Sequence, residues 1–521
     1  MNVPSIFNDV IGPIMRGPSS SHSAAAVRIG RIGRELMGGT PQTVHAYFDL
    51  AGSLPSTYLS QGSDMGLSAG LLGFDADDER LADYRNEMRK AQLELHYSTD
   101  HYHDPHPNTY NLRLNKDGEE HRLKALSTGG GIIEVIGIDD MDVSFFGDCY
   151  GLVIWLKKSP TAQFDSLLDE MEAVSVSWNK GRSLALALSH APFSDKLVAR
   201  INVESSVLAA RCLSPVVPVL TPGQSDVPFT TASGMERYAS STGITDLADL
   251  AISYEATRGA LTDREVMEMA SRLVAIMEEG ISRGLEGTVF RDRILDAQAG
   301  KYSGSRQQGA LLNLGVLDAI IPNVAAVMEV KSAMGVIVAA PTAGSCGGLP
   351  GSLIGVAAAY NLDAEAKARG LLAAGVIGVL IATASTFSAE VCGCQAECGV
   401  SSGMIAAAVT SMLGGSYQTS LAAASLALQN IFGMVCDPVA NRVEVPCLGK
   451  NILAASNGVS CANLALSGFD QVIPFDEVVA AMDQVGRSLP HELRCTARGG
   501  LSITPTSKII TKRLQSLDDS R

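Results

Sequence analysis

The stretch LLAAGVIGVLIATASTFSA, residues 371–389, limits what this chain can fold into more than any other. It is the most apolar segment, and its Gly, Ala, Ser and Thr residues let neighbouring helices approach closely. It falls short of the roughly 20 strongly apolar residues that a membrane span needs, so it reads as a buried helix. A buried helix needs a body of helices around it. The surrounding sequence supplies one: from residue 235 to 521 the chain is dominated by Ala, Gly, Leu and Met at helical spacing, with loops such as PTAGSCGGLPGS (341–352) between helices. This part is expected to be all-α.

The rest of the chain is written differently. A length of 521 residues is too great for one core, and roughly two to four domains are expected. Residues 1–148 mix patterns: SAAAVRIGRIGRELMGG reads as a helix ended by Gly, TVHAYFDLAGSL as a strand entering a loop, and HRLKALSTGGGIIEVIGI as strand, glycine turn, strand. This is an α+β domain. Residues 149–218 read as β-α-β-β-α-β, the order of a ferredoxin-like module. Residues 219–234, including TPGQSDVPFTTASG, lack periodicity and read as a linker. The fold class is therefore multidomain, with an α+β N-terminal domain, a ferredoxin-like βαββαβ module and an all-α C-terminal domain.

A formal charge of −15 and the lack of any Lys/Arg cluster argue against nucleic acid or an anionic membrane as partner. MNVPSIFNDVIGPIMRG has no basic segment followed by an apolar core, so it does not read as a secretion signal, and a cytoplasmic location is expected. In a reducing compartment, thiols close in sequence suggest metal or catalysis. EVCGCQAECGVSSGM (390–404) places Cys392, Cys394 and Cys398 just before a helical run. Cys346, Cys436 and Cys447 also lie in loops, where backbone N–H groups can stabilise a thiolate or a cluster sulfide. Zinc is the alternative, although paired CxxC spacings are absent. Cys149, Cys212, Cys461 and Cys495 read as small buried hydrophobes.

RGPSSSHSAAAVRIG (16–30), FDLAGSL (48–54), HPNT (106–109) and STGGGIIEVIGID (127–139) resemble the β portion of iron–sulfur L-serine dehydratases. APTAGSCGGLPG (340–351), GCQAECGVSSGMIAAA (393–408), CDPVANRVEVPC (436–447) and TARGGLSITPT (496–506) resemble their α portion. The resemblance covers nearly the whole chain and implies a fused arrangement of the two portions, with residues 149–218 similar to an ACT domain. It implies a [4Fe-4S] cluster held by Cys394, Cys436 and Cys447, a Cys-x41-Cys-x10-Cys pattern, with one iron free of protein ligands. Such an iron acts as a Lewis acid on a substrate hydroxyl and carboxylate. Cys346, Cys392 and Cys398 are then extras that ligate or pack around it. The implied reaction converts L-serine, or a related 3-hydroxy amino acid, to a 2-oxo acid and ammonia.

Ser19, Ser20 and Ser21 precede a helix, where hydroxyls and backbone donors suit a carboxylate, or where one of them is simply the N-cap. With the resemblance, His22 becomes a site residue, and His106 and Asn108 are candidates for substrate binding. The loop PSTYLSQGSDMG (55–66) departs from the family. Ser63 and Asp64 remain as catalytic candidates and Gln61 as a substrate-binding one, but Gln61 stands where histidine is expected and Leu59 where lysine is expected. Glutamine cannot be a general base, so another group moves the proton or the substrate differs. The histidine-rich HYSTDHYHDPHPN (96–108) reads as a solvated hairpin, and Glu397 and Arg442 as supporting groups or helix-surface charges.

A pyridoxal-phosphate lyase would do similar chemistry, but Lys331 and Lys367 lie in ordinary helical contexts. An iron–sulfur lyase on another 2-substituted acid, or a non-catalytic sensor of amino acids, completes the alternatives. The Ala-rich helices offer more packing surface than one small domain needs, so a homo-oligomer is expected.

Overall fold

The chain, seen as a computed structural model, is described over residues 3–171, 173–221 and 226–518; residues 222–225 of the expected linker lie outside that range. The N-terminal unit is built on a six-stranded mixed sheet of β1 (Thr43–Asp49), β2 (Glu94–Asp100), β3 (Thr109–Lys116), β4 (Glu119–Gly129), β5 (Ile132–Ile138) and β6 (Met141–Phe145), in the order β2-β1-β3-β4-β5-β6. Only β1 and β2 run parallel. Alternation in β1 buries Val44, Ala46 and Phe48 beneath helices α1 (Ala25–Leu36) and α2 (Ser63–Leu72) and leaves the opposite face open. The helices touch backbone to backbone: a Cβ on Gly66 would lie 2.1 Å from the Ser23 carbonyl oxygen, and one on Gly70 2.1 Å from that of Val27. This contact holds the SSSH turn against the start of α2.

The histidine-rich segment is not a hairpin. Residues 101–103 are exposed as expected, but β1 lies between β2 and β3 and pairs with both. The reason is the crossover that makes β2 parallel to β1, which a local pattern does not reveal.

The next unit follows the expected succession: β7 (Tyr150–Leu156), α3 (Ala162–Asp169), β8 (Ser175–Trp178), β9 (Leu184–Ser189), α4 (Asp195–Asn202) and β10 (Val207–Leu213), with strand order β10-β7-β9-β8 and all pairs antiparallel. Its inner strands β7 and β9 read as continuous apolar runs because both faces are covered. Leu152, Ile154, Ala185 and Ala187 pack with Phe164, Leu167 and Ile201 of its own helices, whereas Val153, Trp155, Leu184 and Leu186 join the core of the N-terminal unit.

The remainder is helical. Four of its helices carry the argument below: α5 (Leu317–Ser332), α6 (Ala364–Ala384), α7 (Cys398–Met412) and α8 (Cys447–Leu466). Helix α6 is long and apolar enough to cross a membrane, yet 72% of its most apolar window is buried inside the protein. Part of its cover comes from the far end of the chain. Ile6 and Val10 pack on Gly375 and Gly378 of α6, Ser5 and the Ile6 amide donate to buried Glu255, and Ile14–Met15 pairs with Ile337–Val338. Residues 5–15 therefore belong to the helical body, which corrects the expectation that 1–148 forms one domain. Their apolar side chains are buried as any core's would be; only the long-range packing shows which core.

Candidate active site at a cysteine-rich junction

Two further cysteines, Cys398 and Cys495, join the expected ligands in the helical body, whereas Cys346 lies against Met328 and Cys392 against Asp483. Cys394 follows Gly393, whose φ of +71° turns the chain and whose missing Cβ leaves room for the Met434 carbonyl. Cys398 and Cys447 open α7 and α8. Cys436 is pinned by backbone bonds on both sides: its N–H donates to Leu493 O at 2.9 Å, and its carbonyl accepts from Cys495 N–H at 3.0 Å.

All five thiols are buried and free, and they act on one another. A hydrogen bond from Cys398, helped by Lys450 and opposed by burial, brings the Cys394 thiol down to about 7, while Cys398 is raised. The Cys436 thiol is raised by its hydrogen bond with Cys495 and by burial. Burial pushes Cys447 up to about 12, against the pull of Lys331. Among the described residues no three His, Cys, Asp or Glu side chains close on a single metal ion.

Two lysines, one buried and one half-buried, lie within electrostatic reach of these thiols. Lys331 of α5 is completely buried and donates to the Val443 carbonyl. Lys450, one turn into α8, donates to Val435 O at 2.6 Å and to Asp437 Oδ1 at 3.0 Å; despite burial, Cys394, Cys436 and Asp437 keep its charge favoured.

Two carboxyls lie beside the cysteines in sequence, and one of them, Glu390, reaches the N-terminal unit. Glu397 is no helix-surface charge: Thr342 Oγ1 donates to it at 2.7 Å, and burial and then Cys394 push its carboxyl up to about 8. Glu390 accepts from Ser388 Oγ at 2.7 Å and lies 3.8 Å from His22 Nδ1.

His22 is fully buried between Ser19 Oγ, 3.0 Å from Nδ1, and Thr57 Oγ1, 2.8 Å from Nε2. Burial lowers its pKa, with Glu390 opposing. None of the three serines caps a helix through its side chain: Ser19 at the N-cap makes no such bond, Ser20 Oγ accepts from Ala343 N–H at 3.1 Å, and Ser21 O accepts from Ser127 Oγ at 2.7 Å. His106 is lowered by burial and accepts from Asn108 N–H at 3.1 Å. The Asn108 side chain is fully buried, and neither its Oδ1 nor its Nδ2 meets a hydrogen-bond partner in the protein.

Gln61 is 2% exposed and donates to Asn441 Oδ1 at 3.1 Å and Cys495 Sγ at 3.4 Å. The structure sets Ser63 and Asp64 further back. Ser63 accepts from Tyr110 OH at 2.8 Å, and Asp64 accepts from Tyr84 OH, with burial raising its pKa. Arg442 turns to Asp292 at 2.7 Å.

Residues 224–502 match the family model of the serine dehydratase alpha chain. This chain belongs to the serine dehydratase alpha chain family. The serine dehydratase match spans the helical body and every cysteine gathered at the junction. Relatives include the probable L-serine dehydratase alpha chain of Bacillus subtilis (strain 168), 37% identical over 268 residues, or 51% of this chain and 89% of that protein. The L-serine dehydratase alpha chain of Peptoniphilus asaccharolyticus is 36% identical over 265 residues, 51% of this chain and 91% of that protein. L-serine dehydratase 2 of Escherichia coli (strain K12) is 32% identical over 288 residues, 53% of this chain and 62% of that protein.

Reading the sequence missed Glu390, Lys450 and Asn441, set Lys331 aside as an ordinary helical lysine, and assigned Cys495 to ordinary packing. Glu390 and Lys450 each lie within a few residues of a cysteine, which was a usable signal. Lys331 and Cys495 carry none, because they reach the centre only through tertiary packing. Cys212 is exposed and Cys149 intermediate, so neither is the buried hydrophobe expected.

Proposed function

We propose that this family member is an iron–sulfur lyase converting L-serine, or a related 3-hydroxy amino acid, to a 2-oxo acid and ammonia. The observation that carries the reading is the junction, where buried free thiols come from separate elements, Cys394 and Glu390 both act on Glu397, and Glu390 lies 3.8 Å from His22. Cys394, Cys436 and Cys447 would hold a [4Fe-4S] cluster. The donor set fits: the three thiols are buried and free, Cys394 is within electrostatic reach of the other two, and Lys331 and Lys450 offset a negative cluster. When bound by three thiolates, such a cluster supplies an iron that acts as a Lewis acid on the substrate hydroxyl.

The chain's own residues do the remaining work. The serine turn and Asn108 bind and orient the amino acid. Thr57 donates its hydroxyl hydrogen to Ser53 O at 2.8 Å, so it accepts from His22 Nε2–H and leaves Nδ1 as the basic nitrogen, a tautomer assigned from the network. Burial holds that imidazole neutral and able to take the Cα proton. Glu397, with its carboxyl near 8, carries a proton at neutral pH and is the acid of the site. Loss of the Cα proton and the Cβ hydroxyl leaves an enamine, which tautomerises to an imine and takes up water to give the 2-oxo acid and ammonia. Ser63 and Asp64 support the Gln61 loop. The module at 149–218 is read as ACT-like, and the protein as a cytoplasmic homo-oligomer.

The test is iron, sulfide and the electronic spectrum of anaerobically purified protein, followed by release of ammonia and 2-oxo acid from L-serine, L-threonine and larger 3-hydroxy amino acids. About four irons per chain with turnover of serine supports the reading. Activity only on another substrate assigns the change to the 55–66 loop. A full cluster without turnover on any substrate replaces the enzyme with a sensor, the reading that Gln61 favours.

A further inference from the structure

We infer that Gln61 is a positioning residue: its side-chain amide clasps both cysteine-bearing loops to the N-terminal unit through Asn441 and Cys495. The inference rests on the cysteine centre proposed above and explains how a chain without histidine at this position uses it.

A neutral amide neither takes nor gives a proton at ordinary pH, yet Gln61 is buried where solvent cannot satisfy it, so its hydrogen bonds define its role. One goes to Asn441 Oδ1 at 3.1 Å and one to Cys495 Sγ at 3.4 Å. Asn441 lies between Cys436 and Cys447 and returns two bonds to the same segment, donating to Ser56 O at 2.7 Å and Ser60 Oγ at 2.9 Å. Ala440 and Asn441 both adopt left-handed backbone, with φ of +50° and +57°. Asn tolerates that region and Ala does not, so the turn needs outside support, and the Asn441 contacts provide it. Cys495 is in turn tied to Cys436 by the backbone bond at 3.0 Å. The 56–61 segment thus grips the chain on both sides of Cys436. Hydrogen bonds to sulfur help set the potential of an iron–sulfur centre, so the Gln61 N–H acts on Cys436 through Cys495, whose thiol it touches and which is hydrogen-bonded to that of Cys436.

The test uses the full-length chain, Gln61→Met, which keeps the bulk without the amide, and Gln61→Glu, which keeps the shape but leaves at most one donor, so that it cannot hold Asn441 and Cys495 together. In metal-free protein, alkylation of Cys436 and Cys495 by iodoacetamide, followed by mass spectrometry, should quicken about tenfold in both variants. After anaerobic reconstitution, both should show a lower reduction potential and a shifted spectrum, and Gln61→Met combined with Cys495→Ser should change them less than the sum of the two. Wild-type alkylation rates and spectra in both variants would overturn the clasp. Faster alkylation in a chain that takes up no iron even as wild type would keep the clasp and remove the cluster instead.

Discussion

Asn108 offers a substitution whose effects on stability and activity should have opposite signs. Its side chain is fully buried just before β3, and both amide atoms lack a protein partner. A buried polar group left unsatisfied costs about 1–3 kcal/mol. Leucine has a similar volume and no polar atom, so Asn108→Leu should stabilise the free protein by up to that amount, or about 2–4 °C in Tm per kcal/mol for a unit of this size. The same change removes the amide that the proposed site offers to the amino acid. Hydrogen bonds to charged groups are worth about 1.5–3 kcal/mol, so kcat/KM for the best substrate should fall about 10- to 100-fold. Thermal unfolding of the substrate-free protein and steady-state ammonia release measure the two effects. A lower Tm with unchanged kcat/KM would show that the amide serves the fold and that its solitude is not a binding device.

Other outcomes follow from single contacts. His121 stacks on Trp155 at 4.3 Å and bonds Asp139 at 2.9 Å and Glu119 at 3.1 Å; against burial, these acids hold its pKa above the ordinary range. Its stabilisation is therefore full below the unfolded value and lost as pH rises through the folded one, so wild type should outlast His121→Ala in urea by more at about pH 6 than at about pH 9. Equal margins at both would refute this. A Cβ on Gly378 would sit 2.1 Å from Val10 Cγ1, so Gly378→Ala should destabilise by about 1–3 kcal/mol despite better helix propensity, and adding Val10→Ala should restore the urea midpoint. Lys331→Met removes the positive charge opposing burial at Cys447; reconstituted protein should retain less iron per chain after gel filtration, and full retention would exclude Lys331 from the centre.

Much of the fold was legible because it depends on local spacing. The Ala-rich period around 371–384, the alternation in TVHAYFD and the βαββαβ succession all became the expected elements. What misled was the assignment of elements to partners: residues 5–15 joined the helical core, and β1 slipped between the ends of the supposed hairpin. Period and composition describe which faces want burial, and they are silent on what covers them.

The candidate site divides in the same way. The sequence by itself determined the chemistry on offer: cysteines in loops and at helix starts, a serine turn ahead of a helix, and an amide where a histidine was expected. Only the tertiary structure decided which of these meet. Cys394 comes within electrostatic reach of both Cys436 and Cys447 through the packing of the helical body, and His22 finds Glu390 across 368 positions of chain because α1 and α2 carry the serine turn to the cysteine loops. Such contacts are set by the shape of two buried surfaces packed together, a property of the folded whole that no short window of residues contains.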